Sequence, residues 1–395
     1  MMKKWICALL TVALVISVCA FAMAETGHFT VNGAGSYSNL KDAVAAASAS
    51  INGTTTIKLE GGDLEGCAVS IPSGFANLII DFGGHTYTAT EPFAGSAGTE
   101  TQAMQLLKDS NITLQNGRLR GKQNSANGLK MMIQNYANLT LKDFTVDASS
   151  LPAVQYVCSN NNGNVRYTGN TSILAAKGKV AFDVCGFSTS ATYPGPTVTV
   201  DTTGTIDGIV EYSYNSQHGP SNVKLVIKKG DFTGTFNQVN DPKSEGIQIS
   251  GGNYAEQPSS DYVKAGLVVK NSNSTTPYHI GADAEAAIAN AEAGSTLTVL
   301  KGSAITNVPA GVKVENKTGD KITVNNESVA PGGEIVIPTP TAAPQPTSAP
   351  ATPTPAPAPT TPAPKTGDST PIALYVLCAA LAVACAAWMA KRRKA

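Results

Sequence analysis

Short runs in which apolar and polar residues alternate recur through the middle of the chain. Seven of these runs are spaced 23 to 34 residues apart, and they begin at Asn77, Asn111, Asn138, Asn164, Pro196, Asn222 and Glu245. An alternation with a period of two predicts half-buried β-strands. The spacings are too long for hairpins, and no amphipathic helix lies between the runs to connect parallel strands. We therefore predict a coil in which each strand stacks in register on the next, which is a parallel β-helix.

The alternation assigns two apolar residues of each run to the interior of this coil. They are Leu78 and Ile80, Ile112 and Leu114, Leu139 and Leu141, Val165 and Tyr167, Val198 and Val200, Val223 and Leu225, and Ile247 and Ile249. Five of the runs begin with an asparagine. Stacked asparagine side chains predict an internal amide ladder at one corner of the coil. The ordinary preference of asparagine for turns explains the same residues equally well.

Two segments have helical periodicity. The first, "SYSNLKDAVAAASAS", places Leu40, Ala43, Val44 and Ala47 on one face, with Ser38 or Asn39 as the N-cap. Such a helix would cover the first open turn of the coil. A similar order of one helix followed by short strands recurs from Asp283 to Val324. It predicts a small helix-plus-strand module within residues 256–337, unless two common patterns coincide.

Composition and charge narrow the class of protein. The 28 basic and 28 acidic residues of the chain balance, but the two ends are basic, so the remaining body is acidic and offers nothing that attracts nucleic acid. Outside the two apolar terminal segments the cysteines are Cys67, Cys158 and Cys185. An odd number without a CxxC pair predicts neither a disulfide framework nor a zinc site, so buried free thiols are expected. We predict no metal and no cofactor.

The two ends of the chain have the features of export and membrane insertion. Residues 1–24 have a basic start, an apolar core and small residues before the boundary of Ala24 and Glu25, as a cleaved signal peptide has. Residues 338–364 form a spacer of Pro, Thr and Ala that cannot pack as helix or sheet interior. Residues 371–390 form an uncharged transmembrane segment, and the basic residues 391–395 place the C-terminus in the cytoplasm. The body is therefore expected outside the cell.

The five residues before the apolar span are Ala363, Pro364, Lys365, Thr366 and Gly367. Together with the span and the basic end they resemble the LPXTG cell-wall sorting signal of Gram-positive surface proteins, with Ala363 in the position of Leu. The resemblance implies that a membrane-bound sortase cleaves between Thr366 and Gly367 and joins Thr366 covalently to peptidoglycan. Loss of the Leu side chain would weaken recognition by about 2 kcal/mol. Without sorting, the protein would remain a membrane protein with a single span.

The order of a helix followed by a coil of short strands resembles the pectate-lyase-like right-handed β-helix superfamily. The late segment "ISGGNYAEQPSSDYVKAGL" also resembles a segment of sortase-anchored surface proteins of clostridia. The expected fold is all-β: a right-handed parallel β-helix (solenoid) over residues 25–255 with an N-terminal capping helix. A small α+β module, a disordered Pro/Thr-rich spacer, the sorting motif at 363–367 and a C-terminal transmembrane helix would follow.

That superfamily contains polysaccharide lyases and glycoside hydrolases, which need clustered acids, an arginine base or a supporting histidine. The exported body has only Arg118, Arg120 and Arg166 as arginines, and it lacks any Asp-Asp or Asp-x-Asp pair. We therefore assign no catalytic residue. The sequence favours a cell-wall-anchored surface protein used for adhesion to glycans or a host surface. The alternatives are an anchored polysaccharide lyase or glycoside hydrolase, and a purely structural surface component.

Arg118 and Arg120 on one run and Asp143 and Asp147 on the next form the densest set of charges. All four are expected to point outward from adjacent turns. They predict either a shallow patch for carbohydrate binding or acid/base chemistry, or a solvated array of salt bridges. Tyrosines could stack on sugars or belong to the core; they are Tyr87, Tyr156, Tyr167, Tyr193, Tyr212 and Tyr214.

Overall fold

The structure is a computed structural model that describes residues 27–48, 52–122, 128–185, 196–213, 223–239 and 246–340. This part of the chain is mostly β, with long parallel sheet regions that are compatible with an all-β solenoid. Within these ranges no helix has the length and apolarity needed to cross a membrane. The predicted signal peptide, the spacer beyond residue 340, the sorting motif and the transmembrane segment lie outside the described residues.

Nineteen of the described strands belong to one large sheet. They are β1 (Phe29–Val31), β2 (Ala34–Tyr37), β3 (Thr54–Leu59), β4 (Leu64–Cys67), β6 (Asn77–Asp81), β7 (Thr86–Thr90), β9 (Asn111–Gly121), β11 (Asn138–Asp147), β13 (Asn164–Gly169), β14 (Ser172–Leu174), β16 (Thr197–Asp207), β18 (Lys224–Phe232), β20 (Ile247–Ile249), β21 (Gly252–Tyr254), β22 (Val268–Asn271), β23 (Tyr278–Ile280), β24 (Thr296–Lys301), β26 (Lys313–Asn316) and β29 (Glu334–Val336).

The other described strands form two smaller sheets. A seven-stranded sheet contains β5 (Val69–Ile71), β8 (Gln102–Leu106), β10 (Met131–Asn135), β12 (Tyr156–Asn160), β15 (Val180–Cys185), β17 (Ile209–Ser213) and β19 (Phe236–Val239). A three-stranded sheet contains β25 (Ala304–Ile305), β27 (Ile322–Val324) and β28 (Glu327–Val329).

Parallel pairing repeats in one order along the chain. In the large sheet β3 pairs with β6, β6 with β9, and the series continues through β11, β13, β16 and β18 to β20. In the seven-stranded sheet each strand is parallel to the next from β5 to β19. Each sequence repeat therefore crosses the large sheet and then the seven-stranded sheet before the chain returns beside its earlier strand. The prediction of stacked parallel strands is confirmed.

The core is a set of apolar ladders that run from strand to strand. One in-register ladder is fully buried along its whole length, and it consists of Ile57, Ile80, Leu114, Leu141, Tyr167, Val200, Ile227 and Ile249. The predicted inward pairs are buried. One register was wrong: Leu225 and Ile227, instead of Val223 and Leu225, align with Val198 and Val200. Val223 is also buried, immediately before β18.

In several repeats the chain turns at one residue in the left-handed backbone region as it crosses the large sheet. The φ angles are 61° at Gly83, 53° at Asn116, 50° at Asp143 and 65° at Gly169. Asn and Asp tolerate this region better than other non-glycine residues, because their short polar side chains bond locally. At Gly169 no other residue fits well, since an added Cβ would overlap Oδ1 of Asp143. Gly83 lies between β6 and β7, and Gly169 is the last residue of β13, before β14, whereas β9 and β11 continue through Asn116 and Asp143.

The predicted internal amide ladder is wrong. Asn111 and Asn138 are exposed, although Nδ2 of Asn138 does donate a hydrogen bond to Oδ1 of Asn111 at 2.9 Å. Buried amides lie elsewhere, at Asn135 and Asn160, which are in register at the ends of β10 and β12. Asn111 and Asn138, which begin two of the runs, therefore bond to each other at exposed positions. This position is consistent with their turn preference.

The first helix, α1 (Leu40–Ala47), confirms the predicted N-terminal helix. Asn39 is the N-cap, and its side chain accepts a hydrogen bond from the backbone N–H of Asp42 at 2.9 Å. The four predicted apolar positions of α1 are buried in the main core. Beside the helix, β1 pairs antiparallel with β2 and β3. The parallel stack thus begins with antiparallel pairing, which protects its first edge.

Antiparallel strands also follow the last parallel pairs. β23 pairs antiparallel with β21 and β22, and β22 pairs antiparallel with β24. The second helix, α2 (Ala282–Ala289), lies between β23 and β24, as the repeated order in the sequence predicted. A second apolar cluster surrounds Ile288, Leu297 and Val314, separate from the main cluster. The helix and strands expected after residue 283 are therefore present and share a core of their own.

Candidate functional site

The structure brings Arg118, Arg120 and Asp147 together, and we call these three residues the arginine cluster. Nη1 of Arg118 lies 3.5 Å from Oδ2 of Asp147, and Nε of Arg120 lies 3.3 Å from the same oxygen. The side chain of Asp147 is only 5% exposed, whereas those of the two arginines are 45% and 44% exposed. Asp147 was expected to face solvent, but the two guanidinium groups and neighbouring atoms cover it.

Local structure explains why both arginines meet this carboxylate. Arg118 and Arg120 are two residues apart on β9, so they project from the same face. Asp147 is in register with Arg120 on the adjacent strand β11. The other oxygen of the carboxylate, Oδ1, accepts hydrogen bonds from the backbone N–H of Ser149 at 3.1 Å and from its hydroxyl at 2.7 Å. Ser149 thus holds one oxygen of Asp147, and the other oxygen of Asp147 positions both guanidinium groups.

Asp143 does not join the arginine cluster. The bend at this residue separates it from Asp147, and its Oδ1 accepts a hydrogen bond from the backbone N–H of Asn170 at 2.9 Å. Asp143 lines a polar cavity of about 280 Å³ together with Asp81, Gln115, Asn116 and Lys142. The four-residue patch predicted from the sequence is therefore two separate sites.

Asp81 is the most constrained group of that polar cavity. Its carboxylate accepts hydrogen bonds from the backbone N–H of Gly83 at 2.8 Å, from Gln115 at 2.9 Å and from Asn116 at 3.1 Å. Burial by itself would raise the pKa of Asp81, but these hydrogen bonds outweigh burial and the pKa is lowered. The carboxylate is already occupied by protein donors, so the cavity offers few free acceptors to a cation.

A second polar feature lies on the seven-stranded sheet and was missed from the sequence. One polar residue per strand stands in register along this sheet, and we call the set the polar row: Ser70, Gln105, Gln134, Ser159, Asp183, Glu211 and Asn237. Gln105, Ser159 and Asp183 are nearly buried. The row places the carboxyl groups of Asp183 and Glu211 on adjacent strands, where parallel backbones are about 4.8 Å apart.

The surroundings of Asp183 favour its protonated form. The pKa of Asp183 is raised to about 7, mainly by burial and to a smaller extent by the neighbouring Glu211 carboxylate, against the hydrogen bonds from the backbone N–H of Asn160 and the hydroxyl of Ser159, which lower it. The hydroxyl of Tyr156 lies 3.4 Å from Oε1 of Glu211, and burial raises the pKa of this tyrosine to about 12. A protonated acid beside a second carboxyl group is an arrangement that can support general acid chemistry.

Acids that lie close together in the chain, as Asp-Asp or Asp-x-Asp, are absent from the exported body, and for that reason no catalytic residue was predicted. Asp183 and Glu211 are 28 residues apart, so only the stacking of β15 on β17 makes them neighbours. A usable signal was present: Asp183 in "VAFDVC" and Glu211 in "IVEYS" each interrupt an otherwise apolar run. Neither run is one of the seven repeats from which the strands were predicted.

The remaining candidate residues have simpler environments. Tyr87, Tyr167 and Tyr212 belong to the core, whereas Tyr156 is half-exposed, and Tyr193 and Tyr214 lie outside the described residues. Cys158 is buried and Cys67 and Cys185 are half-buried, and these three thiols are free. Burial raises the pKa of the Cys185 thiol to about 11 and that of Cys158 still further, so neither is an activated nucleophile.

The residues of the sorting motif, Ala363 to Gly367, and the boundary of Ala24 and Glu25 lie outside the described residues. Among the described residues no group of three or more His, Cys, Asp or Glu side chains is arranged to hold a metal ion. No protein-family model, no curated protein and no solved structure matches this chain.

Proposed function

We propose that this chain is a cell-wall-anchored surface protein of a Gram-positive bacterium that displays a β-solenoid for interaction with glycans. In this proposal residues 25–255 form a right-handed parallel β-helix and residues 256–337 form a small module. Residues 338–364 act as a stalk. Sortase cleaves after Thr366 and joins this residue to peptidoglycan, and residues 371–395 hold the chain in the membrane until cleavage.

The observation that carries the glycan-binding part is a line of polar side chains on the large sheet. Thr86, Arg118 and Thr145 are in register on adjacent strands, and Ser172, Thr205, Asp231 and Asn253 continue the same line. Parallel strands repeat at about 4.8 Å, so this surface offers hydrogen-bonding groups at a regular interval. A polymer with repeated hydroxyl groups is the ligand class that suits such a surface. The apolar ladders beneath it keep the spacing fixed.

The anchoring part rests on the ordered combination of motif, apolar span and basic end. To test it, wall and membrane fractions would be compared for the full chain and for Thr366→Ala, with Thr361→Ala in the spacer as the matched control. We expect muramidase-releasable material from the full chain and the control, and none from Thr366→Ala. Wall linkage that survives in Thr366→Ala would exclude the proposed cleavage site.

Ala363 provides a second, opposite test of the same motif. Ala363→Leu restores the side chain that the sorting signal usually carries, which adds about 2 kcal/mol of apolar contact to the complex with sortase. The wall-linked fraction should therefore rise relative to the membrane-bound fraction. A wall-linked fraction that stays the same or falls would show that Ala363 does not limit sorting.

The glycan-binding part is tested by retention of the purified chain on a panel of plant, mucin and microbial glycans. Retention without shortening of the glycan is the expected result. Absence of retention on every glycan would remove adhesion to glycans and leave a structural role for the displayed body.

A second candidate function is glycoside hydrolysis, which the Asp183–Glu211 pair favours. A carboxyl group with a pKa of about 7 beside a second carboxyl group can serve as the acid while its neighbour acts as the base or nucleophile. Asp183→Asn and Glu211→Gln would then each abolish release of reducing ends, and Asp201→Asn on β16 would not. Products with unsaturated ends, or cleavage that both variants retain, would exclude hydrolysis at this pair.

A further inference from the structure

The arginine cluster has the properties of a preformed anion receptor. Two cationic groups share one nearly buried carboxylate, so the cluster keeps about one net positive charge on a body that is acidic as a whole. In the described part of the chain the only ion pairs of Arg118 and Arg120 are those with Asp147. Each guanidinium group carries five N–H donors in a fixed planar arrangement. Most of these donors remain for a ligand, because the side chains are nearly half exposed.

Asp147 makes the cluster more ordered than a pair of surface arginines. Its Oδ1 is held by Ser149 and its Oδ2 contacts both guanidinium groups, so one buried anion positions both cations. Long flexible side chains lose conformational entropy when they bind a ligand, and this pair has lost part of it already. A ligand that reaches the exposed edges of both guanidinium groups therefore meets donors that are in place.

Threonine side chains surround the two arginines. Thr86 and Thr145 lie in register with Arg118 on the strands before and after it, and Thr88 lies in register with Arg120. All three threonines are half-buried. Their hydroxyl groups can donate to an oxygen atom held by the guanidinium groups. The surface thus combines charge-assisted donors with neutral donors at the spacing of adjacent strands.

We infer that the arginine cluster binds a sulfate or phosphate ester carried on a glycan. A planar carboxylate is satisfied by the edge of one guanidinium group, whereas a tetrahedral oxyanion presents three acceptor oxygens that two separate guanidinium groups and a threonine can share. The inference rests on the proposed function, because it names the ligand class of the displayed surface. Sulfate monoesters and phosphate monoesters on a glycan offer the same three oxygens, so the experiment separates the two.

The test uses the purified full chain and four polymers with one backbone: dextran sulfate, dextran phosphate, carboxymethyl dextran and neutral dextran. We expect retention on the sulfate or the phosphate polymer, weaker retention on carboxymethyl dextran and none on neutral dextran. Retention should fall with added salt, because exposed charges are screened. Tightest binding to carboxymethyl dextran, or equal binding to neutral dextran, would overturn the inference.

Variants locate the binding to the cluster. If only Arg118→Gln and Arg120→Gln were introduced, the buried carboxylate of Asp147 would keep its hydrogen bonds from Ser149 but lose both cations. Asp147→Asn is therefore added to avoid an unpaired buried charge. This triple variant should bind the preferred polymer at least about tenfold more weakly, which corresponds to about 1.4 kcal/mol. The control is Arg166→Gln with Lys229→Gln, two exposed residues on other strands, which removes more net charge than the triple variant does. It should bind within about twofold of the unchanged protein.

Equal binding by the triple variant and the unchanged protein would place the anion site elsewhere and refute the inference. An equal loss in the control would show that overall charge, and not the cluster, attracts the polymer. Far-ultraviolet circular dichroism of each variant establishes that the fold is retained. None of these results depends on sortase. If both the unchanged protein and the triple variant are retained on uncharged glycans, the proposed adhesion to glycans would stand and the oxyanion site would be refuted.

Discussion

Asp183 is a nearly buried residue of the polar row. Replacing it by Asn removes the titrating group but keeps the shape of the side chain. Oδ1 of the new amide can still accept the hydrogen bond from the backbone N–H of Asn160, and the amide nitrogen, which replaces the second oxygen, can donate to the hydroxyl of Ser159 instead of accepting from it. The variant therefore isolates the charge of residue 183. In the unchanged protein the folded state holds the proton of Asp183 up to a pH of about 7, because burial opposes ionisation.

The sign of the effect follows from proton binding. The pKa of Asp183 is raised in the folded protein, from an ordinary 3.8 to about 7, so the folded state binds the proton more tightly than the unfolded chain. The resulting stabilisation is complete below a pH of about 4 and is lost as the pH rises through about 7. At about 1.4 kcal/mol per pKa unit, the loss between pH 5 and pH 8 amounts to about 2 to 3 kcal/mol.

Urea unfolding followed by far-ultraviolet circular dichroism at pH 5 and pH 8 measures this difference. The free energy of unfolding of Asp183→Asn, relative to the unchanged protein, should rise by about 2 to 3 kcal/mol from the lower to the higher pH. Asp201→Asn, at an exposed position of β16, is the control for the loss of a carboxyl group. If the difference in free energy of unfolding between Asp183→Asn and the unchanged protein is the same at both pH values, the conclusion that Asp183 is a protonated, buried acid is refuted.

Three further predictions concern the free energy of unfolding, measured in urea. Leu141→Ala opens a cavity in the middle of the buried ladder and should cost about 2 to 5 kcal/mol, whereas a cost below 1 kcal/mol would mean that the ladder closes around the gap. Gly169→Ala places a Cβ in the left-handed region against Asp143 and should cost about 2 to 3 kcal/mol. Gly178→Ala, with a φ of 72° and no atom near the new Cβ, should cost less, about 1 to 2 kcal/mol, and an equal cost would show that the contact with Asp143 adds nothing. Asn39→Ala removes the N-cap of α1 and should cost about 1 kcal/mol, and no change would mean that tertiary packing alone holds the helix.

The fold could be read from the sequence to a large extent, because its interactions repeat. Each turn of the coil buries an alternating run, so the pairs Leu78 and Ile80 or Leu139 and Leu141 can be identified without coordinates. The helix over Leu40–Ala47 could be predicted equally well, since its cap and its apolar face lie within a few residues of one another. The register of β18 was harder to predict, because in "NVKLVIKKGDF" an alternating apolar pair can start at Val223 or at Leu225.

The arginine cluster was only half predicted. Alternation placed Arg118 and Arg120 on one face and Asp147 on the next strand, but it treated Asp143 and Asp147 as equivalent. The positive φ of Asp143 turns the backbone between them, and a pattern of period two does not report such a bend. Burial of Asp147 was also unexpected, since it depends on the two long side chains that cover it and on Ser149.

By itself the sequence determined the repeating parallel strands, the capping helix, the later helix and strands, and the expectation of an exported protein with a sorting signal. These follow from periods, caps and short motifs, which are local properties of the chain. Only the tertiary structure decided which charges meet: Asp147 with the two arginines, Asp143 with Asp81 in a different cavity, and Asp183 with Glu211. The reason is physical. In a stack of strands the nearest neighbours are about 4.8 Å apart in space but more than twenty residues apart in the chain, and the length of each connection sets which residues align.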